Sequence, residues 1–216
     1  MHKSINNLNL IKENLKSKIL NCDKIRIIAV SKTFPLEQIS PLIEHGHLDF
    51  GENKVQEAID KWTQLRIQNP KVKLHMIGKL QTNKVKFAVQ IFDYIHSVDS
   101  EKLARKIADE QNKMNKKIKI FLQVNIGDES QKSGINKNEV AKLVSFSKEI
   151  GLNVIGLMCI PPVISDPEGY FVEMNKLNKD LGLTELSMGM SSDYLFAAKN
   201  FSTYVRVGSS IFGQRS

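Results

Sequence analysis

Eight short apolar segments of strand type recur along this chain, and segments with helical spacing separate them. The strand-type segments cover residues 25–30, 48–51, 74–78, 94–98, 118–124, 154–159, 185–189 and 204–208. Apolar residues at helical spacing cover residues 35–43, 55–65, 103–114, 140–150 and 170–181. Successive strand starts lie roughly 20–36 residues apart, which is the length of one strand, one crossover helix and two loops. The pattern therefore predicts a repeated β–α unit.

That count of strands favours an α/β fold of the TIM-barrel class, a single closed (β/α)8 barrel over residues 1–216. An open doubly wound sheet is the structural alternative. Such a sheet usually carries a GxGxxG phosphate-binding segment after an early strand, and this chain has none. An extra amphipathic helix is predicted at the N-terminus, over residues 4–20. We expect it to cover one end of the barrel or to pack beside it.

Composition excludes several classes of protein. The chain has 216 residues, of which 41% are hydrophobic and 25% charged, and this balance is typical of a globular protein rather than a disordered or collagen-like one. No apolar stretch approaches the ~18 residues of a membrane span, and the N-terminus lacks the apolar core of a signal peptide. We therefore expect a cytoplasmic protein that does not contact a membrane. Cys22 and Cys159 lie apart from any CxxC or His/Cys cluster, which predicts reduced thiols and no metal site.

The net charge of +8 raises nucleic acid as a possible partner. However, only five of the 31 basic residues are arginine, and the lysines are spread singly along predicted helices among acidic residues. This spacing favours solvated helix faces over a surface for polyanions. A nucleic-acid-binding or partner-binding module is therefore the least favoured function, and we expect no nucleic-acid partner.

In a barrel of this class the chemistry lies at the carboxyl ends of the strands. The first strand ends in Val30-Ser31-Lys32-Thr33, which places Lys32 at the rim of the barrel interior. Partial desolvation there disfavours the ammonium form of the lysine, so its amine can act as a nucleophile toward a carbonyl. The structural alternative is a lysine that extends its charge into water from a strand end.

Two loops rich in glycine and serine follow the last two strands, where barrels often bind phosphate through backbone amides. They are Gly189-Met190-Ser191-Ser192 and Gly208-Ser209-Ser210, and each taken alone is also typical of an ordinary turn. Arg206 lies inside the eighth strand, two residues before the second loop. A guanidinium in an apolar strand requires an acceptor, so a buried carboxylate or a ligand atom must face it.

These features together are typical of a site for pyridoxal phosphate, which needs a lysine that forms an imine, a phosphate site and a partner for the pyridine nitrogen between them. Binding of a nucleotide or sugar phosphate explains the loops but not Lys32. A Schiff-base aldolase explains Lys32 and the phosphate site, and leaves Arg206 to a carboxylate. Asn53 follows the second strand, where by itself it is typical of an N-cap for the next helix. His75 and His96 lie within strands and are typical of hydrogen-bonded core histidines.

At these residues the chain resembles the pyridoxal phosphate homeostasis protein family, whose fold-type III barrels are related to the N-terminal domain of alanine racemase. The resemblance covers essentially the whole chain. It is carried by AVSKT at 29–33, FGENKVQE at 50–57, HMIGKLQTNK at 75–84, KSG at 132–134, GLM at 156–158, SMGMS at 187–191 and VRVGSSIFG at 205–213. One departure is Phe201, where related sequences usually carry glycine; we expect it to alter the turn before the eighth strand without touching the site.

The resemblance implies pyridoxal 5′-phosphate as cofactor and a role for each of seven residues. Lys32 would carry the internal aldimine, Asn53 would lie at the cofactor's face, Arg206 would face the pyridine nitrogen, and Met190, Ser191, Gly208 and Ser209 would hold the phosphate. An arginine cannot accept a proton, so the ring nitrogen stays unprotonated and the electron sink is weakened.

The implied function is intracellular pyridoxal phosphate homeostasis, by a carrier or regulator without catalytic residues or established turnover. Pyridoxal-phosphate-dependent apo-enzymes are candidate partners, and we expect a monomer. The alternative is a pyridoxal-phosphate-dependent enzyme of the alanine racemase class with weak amino-acid racemase activity. Such an enzyme needs a second base, which related racemases take from a partner domain; since the sequence ends at Ser216, we expect no such domain here.

Overall fold

The structure is a computed structural model that describes residues 2–129, 131–163 and 166–214. Within these residues eight strands pair in parallel in chain order, and the first also pairs with the last, which closes the sheet into a barrel. They are β1 (Arg26–Val30), β2 (Asp49–Glu52), β3 (Lys73–Met76), β4 (Tyr94–Val98), β5 (Lys119–Val124), β6 (Asn153–Cys159), β7 (Glu185–Ser187) and β8 (Tyr204–Val207). The predicted (β/α)8 barrel is confirmed. The predicted domain over residues 1–216 also includes residues 1, 130, 164, 165, 215 and 216, which lie outside the described residues.

Helices follow the strands in the alternation that the sequence predicts. The α-helices of the described residues are α1 (Lys3–Lys18), α2 (Leu36–Glu44), α3 (Val55–Gln68), α4 (Val85–Ile91), α5 (Glu101–Lys113), α6 (Val140–Glu149), α7 (Glu168–Asp180), α8 (Tyr194–Lys199) and α9 (Ser209–Phe212). Short 3-10 turns cover Cys22–Lys24, Thr82–Lys84 and Lys137–Glu139. Three of the helices, α4, α8 and α9, are too short to show a helical period in the sequence.

The predicted N-terminal helix is α1, and it packs beside the barrel against α2, α8 and α9. Leu8, Ile11 and Leu15 lie at three- and four-residue steps and are buried, which places one apolar face of the helix against the barrel's outer layer. The side chain of Asn7 donates a hydrogen bond of 2.9 Å to the carbonyl of Ile211. The helix therefore supports the short segment that follows β8.

The apolar core has two parts. A large cluster lies between the strands and the surrounding helices, and a small one consists of Ile28, Tyr94, Phe121, Met158 and Tyr204. The ring of Tyr204 on β8 lies 5.3 Å from that of Phe121 on β5 and 5.9 Å from that of His75 on β3, strands that do not neighbour β8. These contacts cross the barrel interior. Since aromatic rings fill the interior, a ligand site must lie above them, at a strand end.

The turn between α8 and β8 contains the residue at which this chain departs from related sequences. Phe201 adopts a left-handed backbone conformation, with a φ of 68°. The amide of Ser202 donates to the carbonyl of Ala197 and the amide of Phe201 to that of Ala198, which is the Schellman arrangement usually closed by glycine. The side chain of Phe201 is 64% exposed. The turn thus keeps its geometry with a residue that disfavours it.

Three further predictions concern absences or redox state. In the described part of the chain, no helix is long and apolar enough to cross a membrane. The same residues hold no group of three or more His, Cys, Asp or Glu side chains that could bind a metal ion. Both cysteines are free thiols, Cys159 buried in β6 and Cys22 partly exposed.

Candidate functional site

A cavity of about 650 Å³ opens at the carboxyl ends of β1, β2 and β8. All seven residues predicted to bind a cofactor line it: Lys32, Asn53, Met190, Ser191, Arg206, Gly208 and Ser209. The remaining lining residues are Val30, Phe34, Ile77, Ile160, Ser192, Gly213 and Gln214. The fold thus gathers one lysine, one arginine and two serine-rich loops around one volume. Their role as cofactor ligands stays a prediction.

The backbone on both sides of Lys32 is held by neighbouring elements. Ser31 is fully buried; its amide donates to the carbonyl of Gly51, and its hydroxyl donates to the Glu52 carboxylate at 2.7 Å. Thr33 has a φ of 67°, which is rare for a β-branched residue, and its amide donates to the Glu57 carboxylate. Strained backbone of this kind persists only where its surroundings fix it. The half-buried Lys32 therefore extends from a rigid strand end.

The carboxylate of Glu52 is the centre of this arrangement. Besides the Ser31 hydroxyl, its Oε1 accepts hydrogen bonds from Lys61 Nζ at 3.0 Å and from Trp62 Nε1 at 2.9 Å. Lys61 also donates to the Ser31 carbonyl at 2.9 Å and to the Glu57 carboxylate at 3.0 Å. Glu52 is fully buried, so the ammonium of Lys61 compensates its charge. The sequence did not predict this network, because its only signal was a glutamate at the end of an apolar strand, where glutamate is usually solvent-exposed.

Asn53 directly follows β2 and lines the cavity. The N-cap position of α3 is Lys54, and no side chain caps this helix. The capping interpretation of Asn53 is therefore wrong, because the helix begins one residue later than capping requires. Gly78, after β3, packs against the Asn53 backbone so closely that a Cβ there would lie 2.4 Å from the Asn53 carbonyl oxygen.

The two serine-rich loops meet, as their positions after β7 and β8 predict. The hydroxyl oxygen of Ser191 accepts the amides of Gly208 at 3.3 Å and Ser210 at 3.4 Å. Gly189 has a φ of 89°, and a Cβ there would lie 2.6 Å from that of Ala197, so only glycine allows this turn beneath α8. Both bonds to Ser191 are long for N–H···O contacts, and an anionic oxygen at this point would accept the same amides more strongly.

Arg206 is buried in β8 and lines the cavity wall. Its Nη1 donates to the carbonyl and the hydroxyl of Ser187 at 2.7 and 2.8 Å, and its Nη2 donates to the carbonyl of Cys159 at 2.8 Å. Burial lowers the pKa of Arg206 from its ordinary value. Within the described residues it forms no ion pair with a carboxylate, so its protein acceptors are uncharged oxygens. These bonds fix the plane of the guanidinium.

His75 and His96 are fully buried and hydrogen-bonded, as predicted for core histidines. His96 Nδ1 lies 2.8 Å from the hydroxyl of Ser187, the same hydroxyl that accepts from Arg206. His96 Nε2 lies 3.0 Å from His75 Nδ1. The sequence identified both histidines as core residues but gave no sign of their link to Arg206, because the link crosses the barrel.

Comparison with known proteins gives one consistent result. Residues 6–216 match the family model of the alanine racemase N-terminal domain. The chain is 34% identical to the pyridoxal phosphate homeostasis protein of Pasteurella multocida, over 97% of this chain and 96% of that protein. It is 36% identical to the protein of the same name from Aquifex aeolicus, over 90% of this chain and 88% of that one.

Solved structures agree with the sequence relatives. PipY of Synechococcus elongatus, solved without PLP, is 33% identical and superposes with a TM-score of 0.88, over 98% of this chain and 100% of that chain. The same protein solved with PLP bound superposes with a TM-score of 0.85, at 33% identity over 93% of this chain and 97% of that one.

Proposed function

Because the chain belongs to the pyridoxal phosphate homeostasis protein family, within the wider family of the alanine racemase N-terminal domain, we propose that it binds pyridoxal 5′-phosphate through Lys32 and serves the homeostasis of this cofactor. The observation that carries the proposal is the convergence of Lys32, Arg206 and the two serine-rich loops on one cavity. A volume of about 650 Å³ lies within the range of small-molecule sites.

The residues of the cavity fit the three parts of the cofactor. The amine of Lys32 would hold the cofactor at its aldehyde carbon, through a carbon–nitrogen double bond made with loss of water. The amides around Ser191 and Gly208, with the Ser209 hydroxyl, hold the phosphate oxygens. When bound, the cofactor supplies an electrophilic carbon and a ring that accepts electrons. Asn53, which lines the same cavity, would lie at the face of the ring.

Arg206 decides what kind of function the site favours. Its guanidinium would donate to the cofactor's ring nitrogen and has no site that accepts a proton, so that nitrogen would remain unprotonated. An unprotonated ring withdraws electrons less strongly, and a carbanion beside the carbon–nitrogen double bond gains less stabilisation. The site therefore favours holding and releasing the cofactor over turnover of amino acids, and we propose a carrier or regulator rather than an enzyme.

The proposal extends to the setting of this function. The protein acts in the cytoplasm, as a monomer with one binding domain over residues 1–216, and pyridoxal-phosphate-dependent apo-enzymes receive the cofactor. Size-exclusion chromatography coupled to light scattering tests the monomer. Transfer of cofactor to an added apo-enzyme, followed as recovery of that enzyme's activity, tests the carrier role.

The test of binding is a spectral titration with pyridoxal 5′-phosphate. We expect the wild type to develop a visible band from the imine at Lys32, and Lys32→Ala to lack it. The matched control is Lys54→Ala, since Lys54 is an exposed lysine near the site; this variant should keep the band. A wild-type protein that stays colourless at saturating cofactor contradicts the proposal, as does a Lys32→Ala variant that retains the band.

A further inference from the structure

Five side chains form one continuous line of hydrogen bonds that ends at Arg206. Arg206 Nη1 lies 2.8 Å from Ser187 Oγ, and Ser187 Oγ lies 2.8 Å from His96 Nδ1. His96 Nε2 lies 3.0 Å from His75 Nδ1, and His75 Nε2 lies 3.0 Å from Asp49 Oδ1. We call these residues the barrel relay: Asp49, His75, His96, Ser187 and Arg206.

The barrel relay connects the two ends of the barrel. Arg206 lines the cavity at the carboxyl end, whereas Asp49 is the first residue of β2 and lines a separate hollow of about 420 Å³ at the amino end. The step from His96 on β4 to Ser187 on β7 crosses the interior, because these strands are not neighbours. The three middle residues are fully buried. The Asp49 side chain is 18% exposed and reaches the surface at the amino end.

The chemistry of the two ends fixes the direction of every bond. A carboxylate only accepts, so His75 carries its proton on Nε2, and its Nδ1 accepts from Nε2 of His96. Nδ1 of His96 then accepts from the Ser187 hydroxyl, which in turn accepts from Arg206. Every group donates toward Asp49. This direction requires neutral imidazoles, and burial lowers the pKa of both His75 and His96.

The barrel relay has a charged group at each end, the Asp49 carboxylate and the Arg206 guanidinium. Burial acts to raise the pKa of Asp49, but the hydrogen bond from His75 holds that pKa below its ordinary value, so the carboxylate is ionised. Arg206 is a buried cation whose direct partners are neutral oxygens. In the low-dielectric interior of a protein, aligned hydrogen bonds polarise one another, so a charge at one end of the barrel relay affects the other end.

We propose that Asp49, His75, His96 and Ser187 are positioning residues for Arg206: they orient its Nη1, balance its charge from the opposite end of the barrel, and so tune its contact with the cofactor's ring nitrogen. The inference rests on the proposed function, since the ring nitrogen belongs to the cofactor. A merely structural role would affect only the stability of the barrel. A positioning role also affects how the cofactor binds and absorbs light.

The first part of the test uses the protein without cofactor. Nitrogen-15 NMR of the histidine rings reports which ring nitrogen carries the proton. We expect His75 and His96 to be neutral at pH 7 and protonated on Nε2. A cationic ring, or a proton on Nδ1 of either residue, overturns the direction of the barrel relay.

The second part compares Asp49→Asn with Asp93→Asn. Asp93 is a matched control because it lies at the same end of the barrel and its charge also acts on His75, but its side chain is hydrogen-bonded to Arg66 and the Leu74 amide and not to the barrel relay. Coupling between linked sites is typically worth a factor of about 5 or more, so we expect Asp49→Asn to weaken binding of pyridoxal 5′-phosphate about fivefold and to shift the visible band. Asp93→Asn should change neither.

Ser187→Ala provides a second, independent break, in the middle of the barrel relay. It leaves a buried donor on Arg206 without its hydroxyl partner, and we expect binding to weaken about tenfold. Wild-type affinity and spectrum in both Asp49→Asn and Ser187→Ala overturn the inference. A wild-type protein that does not bind the cofactor instead contradicts the proposed function, and the tautomer measurement still decides the direction of the barrel relay.

Discussion

The hydroxyl of Ser31 donates a hydrogen bond of 2.7 Å to the buried carboxylate of Glu52. This bond joins the ends of β1 and β2, which are neighbouring strands, immediately before Lys32 on one and Asn53 on the other. Two of the residues that line the cavity are therefore positioned by a single carboxylate. Rigid support of this kind is what a site needs if a lysine is to meet a small aldehyde in one orientation.

Glu52→Gln should destabilise the protein by about 3 kcal/mol, because it removes one partner of a buried, hydrogen-bonded ion pair. The substitution keeps the size of the side chain but leaves Lys61 with less compensation. The measurement is chemical denaturation followed by tryptophan fluorescence. The partly exposed Glu57 serves as comparison, and Glu57→Gln should cost less than about 1 kcal/mol. Equal losses in both variants would argue against a special role for Glu52.

Phe201→Gly should stabilise the protein. A left-handed conformation costs a residue other than glycine about 1–2 kcal/mol, and Phe201→Gly removes this cost. Part of the gain is lost because glycine has more conformational freedom in the unfolded chain. We therefore expect the free energy of unfolding to rise by about 1 kcal/mol. The variant gives up the contact of Lys179 with the Phe201 ring, at 4.7 Å. Thermal unfolding measures the difference. A lower melting temperature in Phe201→Gly would show that this contact outweighs the backbone cost.

Stability should fall as the pH drops from about 6.5 toward 4. Burial lowers the pKa of His47 to about 4 from the ordinary value of 6.5. The unfolded chain therefore binds a proton at His47 more readily than the folded chain does. Between pH 6.5 and 4 this difference lowers the free energy of unfolding by up to about 3 kcal/mol, whereas above pH 6.5 the full stability is present. The pKa values of His75 and His96 are shifted in the same direction, so their contributions add to that of His47.

Denaturation curves at pH 7.5, 6 and 5 check this expectation, with His47→Gln as the comparison. The variant removes one of the three buried imidazoles whose pKa is lowered, and it should show a smaller loss of stability over the same range. Identical pH dependence in the wild type and His47→Gln would contradict the assignment.

The protein with bound pyridoxal 5′-phosphate should not catalyse the racemisation of amino acids. With L-alanine in heavy water, we expect exchange of the α-proton to be no faster than with free pyridoxal 5′-phosphate, because the role proposed for Arg206 leaves the ring nitrogen unprotonated. Proton NMR follows the exchange, and chiral chromatography detects D-alanine. Catalytic accumulation of D-alanine would instead support the racemase alternative.

The barrel could be predicted from the sequence because its signal is local and repeated: each β–α unit carries its own apolar periodicity. The cavity lining followed from the rule that barrels concentrate chemistry at the carboxyl ends of their strands, which placed Lys32 and Arg206 together. The hydrogen-bond partners of the buried polar side chains could not be predicted from the sequence. The contact of His96 with Ser187 joins residues 91 positions apart across the barrel, and no local pattern encodes it.

Two smaller points also have local causes. By its position alone Asn53 resembled a helix cap, whereas the family resemblance placed it at the site; α3 begins after Lys54, and Asn53 lines the cavity. The Glu52 network was missed because a glutamate at a strand end is usually solvent-exposed. Glu52 is buried by tertiary contacts that no local pattern predicts, since Lys61 and Trp62 of α3 donate hydrogen bonds to its carboxylate.

The most direct test of the central claim is borohydride reduction of the protein with bound pyridoxal 5′-phosphate, followed by protease digestion and mass spectrometry. Reduction converts an imine into a stable amine, so the cofactor marks the lysine that held it. We predict one stoichiometric mark, on the peptide that contains Lys32. A mark spread over surface lysines, or located on another lysine while Lys32 remains unmodified, would contradict the account.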